Sequence, residues 1–413
     1  INVELHISAG ATILAAPASM KAYDEAEPWE GPAYQDGGHT YFHNSLIWAV
    51  GQNNVSITGR GMIDGKGLTK KDTEKGGNIG TGDKAIALKE CRNVLIRDVT
   101  IYRGGHFAII MTGCDIGTVD NVTIDTNRDG FDIDCCKYLT VSNCKINTPS
   151  DDALVLKSSY ALKRPVLCEH IAVTNCVITG YKMGTLLDGT YIPEKVNWVC
   201  GRFKLGTESN GGYRNIALSN CTFMYSSGLA FEEVDQGLME NIVVSNITMS
   251  HVHHYPIYIT TGCRNRGPKE RNTVSSGADI QISNVIADDV DSLAGIIVTG
   301  MPGHPLRNIA LNNIRIKYRG GGTADLAKRE YREQGTNYPE PRFAGPTPAY
   351  GLYARHVDGL DLNHIPFYTE RPDYRPAVML DDVKNESITD LKAPEVKGVK
   401  KVVKLSGNNR NNK

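Results

Sequence analysis

The sequence predicts an all-β chain wound as a single-stranded parallel β-helix, and three observations predict it. Asn121 and Asn143 sit in similar phrases, DNVTI and SNCKI, 22 residues apart. Phrases of that kind recur along the chain, each with two or three alternating apolar residues, a turn residue and a second short apolar run. That is the period-2 pattern of a strand bent at a polar corner. Helical periodicity is almost absent, and short strands repeating at this spacing stack as rungs about 4.8 Å apart.

Taken in order, NNVSITGRGMI begins at Asn53, RNVLIRDVTI at Arg92, DIGTVDNVTI at Asp115, KYLTVSNCKI at Lys137 and EHIAVTNCVI at Glu169. RNIALSNCTF follows from Arg214, ENIVVSNITM from Glu240, ADIQISNVIA from Ala278 and RNIALNNIRI from Arg307, with looser copies near Gly359 and Asn385. The recurring Asn is read as an inward corner residue whose amide bonds the Asn of the rungs above and below. Asn54, Asn121, Asn220, Asn246 and Asn385 also match N-x-S/T. Facing the core, most are not expected to carry glycans.

Length alone, at 413 residues with 40% hydrophobic content, suggests two or three domains. The repeats override that count. They make residues 1–395 one domain, followed by a polar, basic tail over 396–413. A formal net charge of −1 gives no basic face for nucleic acid and no polybasic segment for a membrane. No apolar run reaches the roughly 18 residues of a membrane-spanning helix. The opening INVELHISAGATIL is strand-like and lacks a basic leader, so the chain is read as cytoplasmic or as already relieved of a signal.

Seven of the ten cysteines follow the repeat. Cys91, Cys114, Cys136 and Cys168 each fall seven residues before Asp98, Asn121, Asn143 and Asn175, and Cys144, Cys176 and Cys221 directly follow an Asn. Two such columns read as free, buried thiols stacked in a core, and no C-x-x-C pair suggests zinc.

Departures from the period mark excursions near 17–48, 180–212 and 318–353. Loops on a rigid scaffold are where binding groups gather, so all three are expected to wall one groove. The first carries Trp29, Tyr34, His39, Tyr41, His43 and Trp48; the third carries a short helical run near 324–334. GRGMIDGKG from Gly59 is a turn, because no helix pattern follows it. No Ser-His-Asp or Cys-His arrangement has supporting context.

The stretch NRDGFDIDCCKYLTVSNCKINTPSDDALVLKSS, Asn127 to Ser159, concentrates the acidic chemistry. Asp129 and Asp151 are 22 apart, each eight past its Asn, which predicts one column on neighbouring rungs with Asp152 beside the second. His106, eight past Asp98, continues that column. Hydrolysis of a glycosidic bond needs one protonated carboxyl at the leaving oxygen and one ionised carboxylate holding water. Clustered like charges force at least one pKa upward. Stacked acids also cap turns or bind a cation.

N-x-D-G-x-D at Asn127 to Asp132, S-D-D at Ser150 to Asp152 and G-T-E-S-N-G-G at Gly206 to Gly212 resemble the polygalacturonase family of pectin hydrolases, glycoside hydrolase family 28. SLIWAVGQNNVSITGRGMIDGKG and WEG at Trp29 to Gly31 are similar to its exo-acting and rhamnogalacturonan-directed branches. The resemblance covers most of the chain, to about Ile316. It implies a right-handed, pectin lyase-like β-helix and an inverting hydrolase that is secreted or periplasmic. It also implies a polysaccharide or oligosaccharide substrate, a monomer, and neither cofactor nor metal. Mapped by motif, Asp151 is the general acid, and Asp129 and Asp152 activate water.

Two departures from the family pattern shape the substrate expectation. Cys200 stands where the family's G-H-G would place His, and Ala230 and Glu232 stand where its R-x-K would grip a uronate. Losing that clamp disfavours plain polygalacturonan and favours a rhamnogalacturonan-type or other linkage, and the long loops flanking the groove favour exo action. His106, Lys157, Arg202, Lys204, Glu208 and Glu232 are the expected substrate contacts. The alternatives are a polysaccharide lyase on the same scaffold, opposed by the lack of an obvious Arg or Lys among the acids, and a carbohydrate-binding β-helix without catalysis.

Overall fold

The computed structural model describes residues 2–32, 34–68, 83–195, 198–293 and 295–406. Part of the basic tail, 407–413, lies outside them. The predicted β-helix is what forms: 28 strands join in one assembly, and every pairing between them is parallel among the described residues. No described helix is long and apolar enough to cross a membrane.

Three ladders run the length of the coil. One passes through Asn53–Thr58, Arg92–Arg97, Asp115–Asp120 and Lys137–Ser142. A narrower one passes through Met62–Asp64, Thr100–Tyr102, Thr123–Asp125 and Lys145–Asn147. The third, called the site sheet below, holds Phe107–Thr112, Asp129–Asp134, Leu154–Ser158, Phe203–Ser209, Leu229–Glu233 and Ile257–Thr261 in that order. Alternation sends Phe131, Ile133, Leu154, Leu156, Phe203 and Leu205 into the central core. It sends Asp132, Asp134 and Lys157 to the outer face.

The Asn corner differs from expectation in its direction. Asn143, Asn175, Asn220, Asn246, Asn284 and Asn313 all have φ between 53° and 59° and point outward. Their amides still form a ladder: Asn246 Nδ2 donates to Asn220 at 3.0 Å, Asn284 to Asn246 at 3.1 Å and Asn313 to Asn284 at 2.8 Å. The corner turns through the left-handed region, which Asn tolerates because its short amide bonds locally. Backbone conformation, not burial, therefore selects Asn. All ten cysteines are free, and only Cys263 is not fully buried.

Two excursions cover the outer face of the site sheet. From 17–48, the turn Gly37–His39 lies on it, and Phe42 packs with Ala87, Phe107 and Ile110. From the third excursion, Tyr331, Ala344 and Ala349 pack on Ala230, Tyr255, Tyr258, Ile297 and Tyr353. The helical run expected near 324–334 is a single 3-10 turn, Leu326–Lys328, after which Arg329 is extended. Tyr331 is buried there, so packing of the cover on the sheet overrides the helical pattern. The only α-helix among the described residues is Pro341–Ala344.

Candidate active site

The site sheet's register corrects the predicted column. Phe131 pairs with Leu154, 23 residues on, so Asp152 rather than Asp151 lies opposite Asp129. The corner between Lys145–Asn147 and Leu154–Ser158 is longer than the one before Asp129, and it turns Asp151 outward. The Asp152 amide donates to both Asp129 Oδ1 and Asp151 Oδ1, each at 3.1 Å. Gly130 permits this approach, since a Cβ there would stand 2.5 Å from the Ala153 carbonyl. Phe107, not His106, pairs with Asp129, because the corner after Thr100–Tyr102 carries one more residue.

Asp152 is the ionised member of the trio. Burial pushes its carboxyl up, but Arg202, Lys204 and Lys157 together overturn that and hold it well below the ordinary range. Arg202 Nε donates to Asp152 Oδ1 at 2.5 Å, Lys204 Nζ stands 3.4 Å from Oδ2, and Cys200 Sγ donates at 3.2 Å. Asp129 is shifted the other way: burial, then the charges of Asp151 and Asp132, push it well above its usual value. Asp151 keeps 37% of its side chain exposed and has Arg128 Nε at 3.6 Å. It is the carboxyl that a bound sugar can reach.

Most of the other expected contacts stand behind this front. Lys157 Nζ lies 3.2 Å from Glu208 and 3.5 Å from Asp132. Glu208 also faces Arg264 and Arg266, at 3.7 and 3.8 Å. His106 is buried and meets Asp36 Oδ1 and an Arg128 nitrogen, each at 3.0 Å. Glu232, expected to bond sugar hydroxyls, is 0% exposed and faces Lys204 at 3.2 Å. In this arrangement Glu208, Glu232 and His106 are buried and face charged partners.

Glu232 and Asp132 differ from Asp152 in sign. Burial pushes Glu232 up to about 7 and Asp132 up to about 6, with lysine, arginine and His39 charges only partly offsetting it. A raised carboxyl favours the folded state below its unfolded pKa and loses that contribution as pH rises through the folded value. Glu232→Gln should therefore gain thermal stability over the wild type progressively between about pH 4 and 7, then hold that gain. Melting temperatures by circular dichroism across this range check it. A loss that is small below about pH 4 and grows as pH rises towards 7 would mean that Glu232 serves as an ionised partner of Lys204.

Arg128, Asp36, His39, Tyr255 and Glu340 also belong to the site, and of these only His39 was named beforehand, among the residues of the first excursion. His39 lies between Asp132 and Asp134, 3.6 Å from each. Tyr255 and Glu340 meet the Arg202 guanidinium. Arg128 had a signal as well, inside the N-R-D-G motif. Arg, Lys and acids are thus interleaved, which removes the argument made against a lyase. A different one replaces it: Lys157, Arg202 and Lys204 are all held well above their ordinary values by neighbouring carboxylates, against burial, and stay protonated. None is then poised to abstract a proton.

One grouping also invites a cation. Single ligand atoms of Asp151, Asp152 and Cys200 lie within 4.8 Å of one another. Arg202 and Lys204 already neutralise Asp152, and burial raises the Cys200 thiol. The donor set fits a cation poorly.

Residues 33–181 match the model of glycosyl hydrolases family 28. That span holds Asp129, Asp151 and Asp152, and its similarity to this family marks the chain as a glycoside hydrolase. Among solved structures, the Yersinia enterocolitica family 28 exopolygalacturonase superposes with a TM-score of 0.66 at 14% identity, over 95% of this chain and 70% of that one. The Thermotoga maritima exopolygalacturonase gives 0.56 at 20% identity, over 76% and 75%. The Erwinia carotovora polygalacturonase gives 0.55 at 19%, over 76% and 79%. At these identities the likeness establishes the shared fold. No curated protein matches the chain.

Proposed function

We propose that this chain cleaves a pectic or related polysaccharide of rhamnogalacturonan type, or another linkage that is not homogalacturonan, from chain ends and with inversion. The observation that carries the reading is the pairing of an ionised Asp152 with an exposed Asp151, on a sheet whose two flanks are covered. Asp151 gives its proton to the leaving oxygen, and Asp152 orients the attacking water. Asp129, assigned to water activation by the family pattern, has its carboxyl raised by burial and by the charges of Asp151 and Asp132, which favours keeping a proton within the cluster. The covers on either flank favour a short groove and end-on attack. Ala230, sealed under the second cover, and Glu232 leave the usual clamp column without a cation.

One distance favours a second reading on stereochemistry. Asp151 and Asp152 oxygens within 4.8 Å are nearer the roughly 5–5.5 Å of retaining enzymes than the roughly 6.5–9.5 Å of inverting ones. The experiment that tests both is a product profile on homogalacturonan, rhamnogalacturonan and neutral galactans, with the first anomer read by NMR. Inverted monomer or short product from rhamnogalacturonan alone is expected. A retained anomer moves Asp152 to nucleophile, and rapid cleavage of homogalacturonan overturns the substrate reading.

A further inference from the structure

R-x-K is not missing from this chain. Arg202-Phe203-Lys204 supplies it one rung earlier than the family pattern places it, with Lys204 paired to Ala230 across the ladder. Beside Asp152 and Glu232, the two cations hold a third carboxylate. Glu340 Oε1 accepts from Arg202 Nη2 at 2.5 Å and Oε2 from Nη1 at 3.2 Å, the parallel two-bond geometry of a guanidinium and a carboxylate. Lys204 Nζ lies 3.9 Å from the same Oε1.

This carboxylate arrives from the second cover, 138 residues further along the chain. The cover is fixed. Arg329 Nη2 donates to the Ala344 carbonyl at 2.6 Å, Arg355 Nη1 to the Tyr331 carbonyl at 3.1 Å, and the Tyr338 hydroxyl meets Thr207 Oγ1 at 3.1 Å. Arg342 lies over the Trp198 ring at 4.5 Å. A packed wall thus holds Glu340 in place.

We propose that Glu340 is a built-in substitute for a sugar carboxylate on Arg202 and Lys204, and that it sets specificity by reserving the subsite beside Asp152 for a neutral sugar. A uronate arriving there must displace a buried, doubly bonded carboxylate or stand against its charge. A neutral sugar meets neither cost. The inference rests on the hydrolase reading above and names the sugar class at that subsite.

The test is NMR titration of the wild type and of Glu340→Gln with galacturonic acid and with galactose. The wild type should bind galactose about ten-fold more tightly than galacturonic acid. The Gln variant, which keeps the shape and removes the charge, should tighten for galacturonic acid by about ten-fold while galactose moves less than about two-fold. A wild type that prefers galacturonic acid overturns the proposal even if the variant fails to fold, as does a variant that shifts both sugars equally. Turnover of rhamnogalacturonan, followed in parallel, separates the two claims. The expected sugar preferences without turnover sink the hydrolase reading alone; turnover without the swap sinks the role of Glu340.

Discussion

Asp151→Asn should lower turnover of the natural polysaccharide by about 10²–10⁴-fold while leaving oligosaccharide affinity and the melting temperature almost unchanged. The small structural effect follows from position. Asp151 is more than a third exposed, and its close partners are one amide and the Arg128 side chain, so Asn fits its place. The large kinetic effect follows from its assigned task. The leaving sugar oxygen is a poor leaving group unless it is protonated as the bond breaks, and Asn has no proton to give. That argument has a sharper consequence. With a nitrophenyl glycoside, whose leaving group needs no proton, the Asn variant should recover most of the lost rate. Asp152→Asn should not recover it, because activation of water is needed for every substrate. Equal losses on natural and activated substrates in the Asp151 variant would remove it from the acid role. A chain with no turnover on any member of the substrate panel would point to a binding module.

The fold was legible because its signal is repeated. Each rung writes alternation, corner and alternation again, and errors in one copy are corrected by the next. The site was legible in composition but not in register. Counting from Asn placed Asp151 over Asp129 because the count assumes corners of equal length. The long corner before Leu154–Ser158 shifts the pairing by one and exchanges the environments of Asp151 and Asp152. The same assumption misplaced His106. Asn was rightly read as a ladder residue and wrongly faced inward, since a left-handed corner and a buried amide leave the same letter in the sequence. The bond between Glu340 and Arg202 could not be foreseen, although the excursion that carries Glu340 was expected at the groove. Nothing near it in the chain refers to Arg202, and only the packing of the cover on the sheet joins them.

Arg202→Met is the substitution expected to harm the molecule most. Its guanidinium, 2% exposed, is bonded to Asp152, Tyr255 and Glu340 at once. Replacing it with an apolar chain of similar length leaves two buried carboxylates with Lys204 as their remaining close cation. Breaking one partner out of a buried pair in this way costs about 3–5 kcal/mol. The pH dependence identifies the cause. Asp152 and Glu340 are both held below their ordinary values in the folded protein despite burial, chiefly by Arg202 and then Lys204. A depressed carboxyl contributes stability above its unfolded pKa, near 4, and loses it as pH falls through the folded value. Without Arg202 those carboxyls rise, and their charged forms become a cost. The deficit should therefore be largest near pH 7 and shrink below about pH 4, where both acids are protonated in variant and unfolded chain alike. Denaturant unfolding of the two proteins at pH 7 and at pH 3.5 measures it. A deficit that is the same at both values would mean that Met fails in Arg202's place through shape, and that the charge network contributes little to holding the second cover on the sheet.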